Sequence, residues 1–438
     1  MEKLYEFKID RHKLWILIVL LIYKVFLEAG YVLVLANKLF NFKLELNYRK
    51  YILGFFMIII MQAFISSEKK PSTFILNFYM FIAMVPITLW YALVNQSTLY
   101  YLFLVAGFSM AAMMLRYLPV MLENRFKINS ATRKIFSINK AVIIISISLM
   151  AVLLLGILAT NGAPTITALN LKNAYEIRGE NYFIQNKYLG YIYNYTMSIF
   201  VPLILAWSLD KKKYISSFLI SIYIFIFFMY SGNKQTLFSI FLIIGTYFII
   251  NMKKINIYFF ESYTAVVIMS VILSAWRGMD LFFSIFIRRM LILPAELKFL
   301  YYDFFLKNPK IGMTGIYPGN IFGNSPYDAK VGNAIASTYL DSTDMNANTG
   351  FMAEGYERFG YTGILIAFLL FAIMLFAFDI LSKNTNYIFA TTFSIYPMFI
   401  LNDLPIISSI LMGPMLILLI ICLFYSDAGR KIKHGTIR

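Results

Sequence analysis

Two arginine-glycine pairs stand out in the 438-residue sequence as groups that could bind an anion. Arg178 and Arg277 are each followed by glycine, in "AYEIRGENY" and "SAWRGMD". Glycine lets a backbone approach a ligand closely, and a guanidinium binds phosphate through two parallel hydrogen bonds. We interpret both pairs as candidate phosphate-binding positions, against the alternative that each arginine only bonds lipid headgroups.

An acidic motif, "MNANTGFMAEGYERFGYTG", contains the best candidate for a general base. Glu354 and Arg358 are four residues apart, so on a helix they lie one turn apart and can pair on one face. The pair is either structural, or Glu354 removes a proton from a substrate hydroxyl, with Asp280 as the second candidate. Asn346 and Asn348 in the same motif supply amide groups suited to a sugar.

Further cations and one tyrosine complete the candidate set. Arg288 and Arg289 are adjacent, so one could face a cavity while the other extends to lipid headgroups. Lys234, in "YSGNKQT", either neutralises a diphosphate or is an ordinary lysine at the end of a helix. Tyr317 belongs to a set of aromatic, amide and carboxylate residues in the fifth predicted outer loop. Such residues suit a sugar-binding site, but exposed loops have the same composition.

Histidine and cysteine chemistry is excluded by position. The two histidines, His12 and His434, lie in the terminal tails, and the single cysteine, Cys422, lies inside an apolar run. No metal-binding spacing and no cofactor motif is visible, so a mechanism has to depend on Arg, Lys, Asp, Glu and Tyr. Lys24 and Glu28, four residues apart in the first apolar segment, are predicted to form a structural ion pair.

These residues are embedded in a chain whose composition requires a lipid bilayer. The sequence is 60% hydrophobic, 18% aromatic and 14% charged, which no soluble globular class tolerates. The formal net charge of +17 comes from Lys and Arg clustered between apolar runs. That clustering indicates contact with anionic lipids and control of topology rather than nucleic-acid binding.

At about 20 apolar residues per span, the chain is predicted to be an all-α polytopic membrane protein with twelve transmembrane helices in a single domain, residues 1–438. The predicted helices are 14–36, 51–67, 73–94, 98–121, 141–160, 188–208, 214–230, 234–251, 256–275, 360–382, 386–401 and 405–425.

The distribution of basic residues predicts the orientation of these helices. The two tails and alternate loops carry 21 Lys and Arg, whereas the four short loops of opposite parity carry five. Because cytoplasmic connections keep the excess of Lys and Arg, both termini are predicted to be cytoplasmic. Residues 37–50 disagree, since they carry four basic residues on the predicted outside. The long third outer loop, 161–187, and fifth outer loop, 276–359, then both face away from the cytoplasm.

The fifth outer loop is predicted to contain its own secondary structure. Residues 281–307 are apolar enough to resemble a span, but Arg288, Arg289, Pro294, Glu296 and Asp303 interrupt them. We predict one or two amphipathic helices at the membrane interface there. Residues 308–350 are dense in Gly, Asn and Pro and are predicted to be rich in turns.

The chain resembles the Wzy-type polymerases of O-antigen and capsule repeat units in three features. These are a dozen spans, two long outer loops that each open on Arg-Gly, and the stretch "NANTGFMAEGYERFGYTG". The resemblance implies a fold like that of the GT-C-like polymerases and ligases. It implies location in the bacterial cytoplasmic membrane, with a chain-length regulator and a flippase as partners. It also implies that Arg178 and Arg277, with Arg288 or Arg289, engage undecaprenyl diphosphate-linked oligosaccharides. The family's longer Arg-to-Gly spacing is not kept here, so the roles of individual residues stay open.

The implied reaction is glycosyl transfer without a cofactor. A hydroxyl of one lipid-linked repeat attacks the anomeric carbon of another chain, and undecaprenyl diphosphate leaves with added negative charge. Fixed arginines stabilise that charge in a partly dehydrated site, and a carboxylate, Glu354 or Asp280, takes the proton.

Three alternatives stay open. A lipid-linked oligosaccharide flippase shares the twelve-helix layout, although transporters favour internal repeats and broken helices over a long outer loop. The related O-antigen ligase depends on a histidine in its large outer loop, and this loop has none. A structural or sensory membrane protein would need neither the loop arginines nor the carboxylate.

Overall fold

The structure is a computed structural model in which all regular secondary structure of the described residues is helical. Among these residues, nine helices are long and apolar enough to cross a membrane. The protein is therefore a multi-pass helical membrane protein. The described residues are 11–39, 42–122, 139–162, 187–252, 255–315, 322–328, 330–340, 346–411 and 413–425.

Each of the twelve predicted segments is helical. Three of them are shorter than the other nine, so their crossing of the membrane stays a prediction. The short three are Tyr48–Phe64, Lys234–Ile250 and Tyr387–Ile400. The others are built from Arg11–Gly30 with Tyr31–Leu39, Pro71–Tyr79 with Met80–Met84 and Val85–Leu93, Thr98–Leu122, Asn139–Asn161, Lys187–Tyr195 with Thr196–Phe200 and Val201–Asp210, Tyr214–Ser231, Ile255–Arg277, Phe351–Leu381, and Ile406–Leu411 with Pro414–Phe424.

The chain divides into two compact units. The first unit comprises Met1–Asn124, Met252–Phe376 and Leu401–Ser409, and the second comprises Arg125–Asn251, Ala377–Ile400 and Ile410–Arg438.

The first unit is organised around a central helical segment. Every residue from 72 to 94 is buried within the protein. A helix that is apolar on all sides has to be surrounded, and this one packs against Tyr48–Phe64 and Leu293–Lys307. The first helix, Arg11–Gly30, packs along Ile255–Arg277. All candidate site residues that the structure describes, except the backbone of Lys234, belong to this unit.

The second unit is a group of antiparallel helix pairs joined by short turns. Val201–Asp210, Tyr214–Ser231 and Lys234–Ile250 pack on one another, and the first and the third of them also pack on Tyr387–Ile400. Asn386 Nδ2 donates to Asp210 Oδ1 at 3.0 Å, which ties the start of the last of these helices to the end of the first.

In the described part of the chain, four helices contain a π-helical stretch, and three of these stretches have the same local cause. Three end two residues before a proline, at Pro86, Pro202 and Pro294. Proline lacks an N–H and crowds the carbonyl four residues earlier, so a wider turn accommodates it. In each case the residue before proline donates to the carbonyl five residues earlier. Sequence periodicity alone does not reveal this widening.

The surface of the helices is apolar where lipid would contact it. Leu14, Ile18, Ile22 and Val25 are exposed along one face of the first helix, as expected when lipid is the solvent. On the buried side of the same helix, Lys24 Nζ donates to Glu28, which confirms the predicted ion pair.

The fifth predicted outer loop begins as one helix rather than two. Asp280–Phe283, Ser284–Ile292 and Leu293–Lys307 follow one another without a break, and we call residues 280–307 the loop helix. Its position at the membrane interface stays a prediction. The turn-rich stretch that follows contains a helix the sequence did not predict, Val331–Tyr339.

Candidate functional site

Glu354 and Arg358 form a buried ion pair at the start of Phe351–Leu381. Arg358 Nε donates to Glu354 Oε1 at 2.9 Å, and the two residues are only 7% and 3% exposed. The pairing predicted from their spacing is therefore confirmed. The catalytic role of Glu354 stays a prediction.

The pair also joins three segments of the first unit. Glu354 Oε2 accepts the backbone N–H of Ile406 at 2.6 Å and lies at the start of Ile406–Leu411, where N–H groups lack helical partners. Arg358 Nη1 donates to the carbonyl oxygens of Gly312 and Thr314 at 2.9 and 3.2 Å. Both oxygens of Glu354 are thus occupied, and the pair holds the loop segment around residue 312 against the helices.

A sharp kink follows directly after this pair. Phe359 and Gly360 leave helical geometry, and Gly360 adopts φ +66° and ψ −142°, which side chains rarely tolerate. The kink presses the backbone of Gly355 against that of Gly363, where an added Cβ on Gly363 would lie 1.9 Å from the Gly355 carbonyl oxygen. We call residues 355–363 the glycine kink.

Residues 401–405 form a short turn between two helices, and this turn packs against the acidic motif. A Cβ on Gly350 would lie 1.9 Å from the carbonyl oxygen of Asn402, so the two backbones touch. Lys298 Nζ donates to Asn402 Oδ1 at 3.3 Å and to the Pro294 carbonyl at 3.1 Å. Burial lowers the pKa of Lys298 to about 8, although the charge of Asp403 opposes this shift.

The first described residues of the acidic motif are held by hydrogen bonds to their backbone and leave two amides exposed. Tyr301 Oη donates to the Ala347 carbonyl at 2.8 Å, and the Ala347 N–H donates to the Gly332 carbonyl at 3.1 Å. Asn346 and Asn348, on either side of Ala347, are exposed. Both predicted sugar-binding amides are therefore presented on an anchored segment.

Arg277 is the last residue of its helix, and the glycine after it has a structural reason. Gly278 has φ +66°, with its N–H bonded to the Ser274 carbonyl, while the Met279 N–H bonds the Leu273 carbonyl. The first of these bonds is that of the αL motif, which ends a helix at a left-handed glycine. The glycine thus terminates the helix and leaves Arg277 exposed at its end.

Asp280 begins the next helix only three residues later. Ser274 Oγ donates to Asp280 Oδ1 at 2.5 Å, and the carboxylate lies in the first turn of the loop helix. A negative charge is favourable there because helix N-termini carry a partial positive charge. Asp280 therefore has a structural role, whatever its role toward a substrate.

The loop helix carries two adjacent arginines and a carboxylate. Arg288, Arg289 and Glu296 are all half-buried. Burial raises the pKa of Glu296 to about 7, and the positive charge of Arg288 lowers it by a smaller amount. Arg288 and Glu296 therefore act on each other, and Glu296 is poised between its two protonation states near neutral pH.

Four tyrosines form a cluster beside the glycine kink. The rings of Tyr100 and Tyr302 stack with centroids 4.5 Å apart, and the hydroxyls of Tyr302 and Tyr361 lie 3.2 Å apart. Lys310 Nζ lies 4.5 Å from the centre of the Tyr356 ring. Rings and hydroxyls of this kind suit a sugar, which offers both apolar C–H faces and hydroxyl groups.

The structure brings some of the predicted site residues together and not others. Glu354 is paired with Arg358, and Asp280 lies on the same helix as Arg288 and Arg289. No residue in the described part of the chain forms a hydrogen bond or ion pair with the Arg277 side chain. Outside the described residues lie Arg178, Tyr317 and the side chain of Lys234.

Sequence patterns do not single out Glu296, Lys298 or Asn402, whose surroundings only the structure shows. In the sequence, Glu296 is only one of the charges that interrupt an apolar run. Glu296 follows Arg288 by eight residues, or about two helical turns. If the segment is taken as one helix, this spacing predicts that the two side chains lie near each other. Nothing in the sequence signalled that Asn402 meets Lys298, 104 positions away along the chain.

Replacing Glu296 by glutamine is expected to stabilise the protein at alkaline pH. A folded-state pKa of about 7, raised from 4.5, gives stability that is full below about pH 4.5 and is lost as pH rises through about 7. Glu296→Gln removes this loss. Its free energy of unfolding should therefore exceed that of the wild-type protein by on the order of 2 kcal/mol at about pH 8, and by little at about pH 5.

The measurement is thermal unfolding in detergent at both pH values, with Glu45→Gln as the control. Glu45 is an exposed carboxylate paired with Lys43, so its replacement should have the same small effect at both. A Glu296→Gln effect that is independent of pH would contradict the raised pKa.

Among the described residues, no group of three or more His, Cys, Asp or Glu side chains could hold a metal ion. Comparisons with protein-family models, curated proteins and solved structures find no match for this chain. What the fold and the composition define is a class, the multi-pass helical membrane proteins, and the function has to be argued from the site.

Proposed function

We propose that this protein is a polysaccharide repeat-unit polymerase of the Wzy type. It transfers an undecaprenyl diphosphate-linked glycan onto another lipid-linked repeat, at the outer face of a bacterial cytoplasmic membrane. The proposal includes twelve membrane spans, cytoplasmic termini and a fold of the GT-C-like kind.

One observation carries the proposal. Within residues 277–296, the chain provides three arginines and two carboxylates on an exposed helix end and the loop helix that follows it. The segment starts at the end of one long apolar helix, Ile255–Arg277, and precedes another, Phe351–Leu381. Guanidinium groups beside a carboxylate, at the end of a membrane helix, suit a substrate with a lipid tail, a diphosphate and a sugar.

The expected chemistry follows from the charges in the reaction. The diphosphate gains negative charge as its bond to the anomeric carbon breaks, and preorganised cations stabilise that charge. Arg277 is exposed at the end of its helix, where it can reach a diphosphate. Arg288 and Arg289 lie about three turns further along the chain. The exposed amides of Asn346 and Asn348 and the tyrosine cluster are the groups available to hold the sugar.

Loss of either loop arginine is expected to abolish long-chain polysaccharide. Arg178→Ala and Arg277→Ala should each lower polymerisation by about 100-fold or more, because each removes a charge that stabilises the leaving group. Arg277→Lys keeps the charge but loses bidentate geometry and should retain partial activity. The measurement is the length distribution of the polysaccharide in cells that carry each variant, with protein level followed by immunoblot.

Arg49→Ala is the matched control for these variants. Arg49 is an exposed arginine on the predicted outer side, at the start of Tyr48–Phe64, so its loss changes net charge equally but should leave chain length normal. Unchanged length distributions in both loop-arginine variants, at normal protein level, would overturn the proposed function. Movement of lipid-linked oligosaccharide across proteoliposomes without lengthening would instead favour a flippase.

A further inference from the structure

Two carboxylates near the proposed site differ in what already binds them. Glu354 is 3% exposed, and its two oxygens accept hydrogen bonds from Arg358 Nε and the Ile406 N–H. A carboxylate with both oxygens occupied and almost no exposure has little room to receive a proton from a substrate hydroxyl. Its geometry fits a positioning residue.

Glu296 has the opposite surroundings. It is half-buried on the loop helix, and within the described part of the chain no residue donates a hydrogen bond to it. The charged and titratable groups that interact with it are Arg288 on the same helix and Tyr31 on the first helix. Tyr31 Oη donates to the Lys43 carbonyl at 2.6 Å, so this hydroxyl is engaged elsewhere. The carboxylate oxygens of Glu296 are thus available to a ligand.

The loop helix also places Glu296 at a useful distance from the cations. Eight residues separate Arg288 from Glu296, which corresponds to roughly 12 Å along an α-helix and somewhat less through a π-helical stretch. A sugar ring has to fit between a leaving diphosphate on one side and an attacking hydroxyl on the other. In inverting glycoside hydrolases, for comparison, the two carboxyl groups that act on opposite sides of the anomeric carbon lie about 6.5 to 9.5 Å apart. The charge of Arg288 lowers the pKa of the Glu296 carboxyl, so the two side chains are close enough to interact electrostatically.

We propose that Glu296, rather than Glu354, is the general base of the transfer reaction, a proposal that rests on the proposed polymerase function. The Glu296 carboxylate accepts the proton of the attacking sugar hydroxyl as that oxygen bonds to the anomeric carbon. The bond between that carbon and the diphosphate oxygen breaks, and its electron pair leaves with undecaprenyl diphosphate. The proton then passes from Glu296 to water.

Burial raises the pKa of Glu296 to about 7, and this value suits the assigned role. A general base works best with a pKa near the working pH, where it is both ionised and basic enough to take the proton. Activity should therefore rise with pH up to about 7 and then level off. Below that value the rate should fall by about tenfold for each pH unit, as one protonation removes the base.

The test uses the full-length protein in proteoliposomes. The probe is the lipid-linked oligosaccharide extracted from cells that lack this protein, and the readout is the rate of lengthening between about pH 5 and pH 9. Glu296→Gln should lower the rate by about 100-fold or more and abolish the acidic limb of the pH profile. Glu296→Ala should regain part of its rate with added formate, which a purely structural defect would not allow.

Two comparisons decide between the carboxylates. Glu354→Gln should lower thermal stability and protein yield, but the protein that remains folded should keep the acidic limb. Loss of that limb in Glu354→Gln, with a near-normal rate in Glu296→Gln, would assign the base to Glu354 and overturn this inference alone. If the wild-type protein does not lengthen the probe, the proposed function fails and the inference with it. Glu45→Gln serves as the control for loss of one exposed negative charge.

Discussion

Replacing Arg358 by leucine is expected to destabilise the first unit by about 3 to 5 kcal/mol, because the Glu354 carboxylate then stays buried without its cation. The substitution also removes the donors to the Gly312 and Thr314 carbonyls, which fix the loop segment that follows the loop helix. We expect a lower midpoint of thermal unfolding in detergent and earlier proteolysis within residues 308–315. Loss of activity should accompany the loss of structure.

The control and the partner variant make this expectation specific. Lys307 and Asp303 form a pair of the same spacing, but their side chains are 66% and 40% exposed. Lys307→Met should therefore change stability by no more than about 1 kcal/mol. Glu354→Gln combined with Arg358→Leu should recover part of the loss, since glutamine is uncharged and its oxygen can still accept from the Ile406 N–H. An Arg358→Leu cost no larger than that of Lys307→Met would contradict a structural role for the pair.

Local patterns in the sequence predicted the parts of the fold that local physics determines. The twelve helical segments follow from apolar runs whose length matches a bilayer, and the two ion pairs follow from spacing on a helix. The single loop helix was partly concealed because charges and Pro294 interrupt its apolar run, and the π-helical turn that accommodates this proline has no periodic signature. The residues that form the loop helix and its π-helical turn are visible in the sequence, but recognising these elements requires the register of the helix.

The distinction between Glu296 and Glu354 could not come from the sequence. The N–H group that occupies Glu354 belongs to Ile406, 52 positions away, and only the folded chain brings the two together. The glycine of the Arg277-Gly278 pair was interpreted as a means of approach to a ligand, yet in the structure it ends a helix. Residue type limits what a side chain can do, and tertiary contacts decide which of those roles is still available.

Replacing Gly363 by alanine is expected to destabilise the glycine kink by about 3 kcal/mol or more, because the new Cβ meets backbone rather than a movable side chain. That Cβ would lie 1.9 Å from the Gly355 carbonyl oxygen, and a Cβ on Gly355 would lie 2.5 Å from the Gly363 carbonyl oxygen. Both substitutions should therefore lower the midpoint of thermal unfolding. Gly245→Ala is the matched control, since nothing lies within 4 Å of its added Cβ and it is within a helix. It should be neutral or stabilising by up to about 1 kcal/mol.

The glycine kink and the buried ion pair are expected to act as one cooperative structure. Arg358 lies within residues 355–363, so forcing Gly355 and Gly363 apart also displaces the guanidinium from the Glu354 carboxylate and the Gly312 carbonyl. The costs of Gly363→Ala and Arg358→Leu should then be less than additive by about 1 kcal/mol or more, as found for residues that share contacts. The measurement is a double-mutant cycle of unfolding free energies in detergent. Strict additivity would show that the kink and the pair stabilise the protein independently, and the acidic motif would then consist of two separate structural devices.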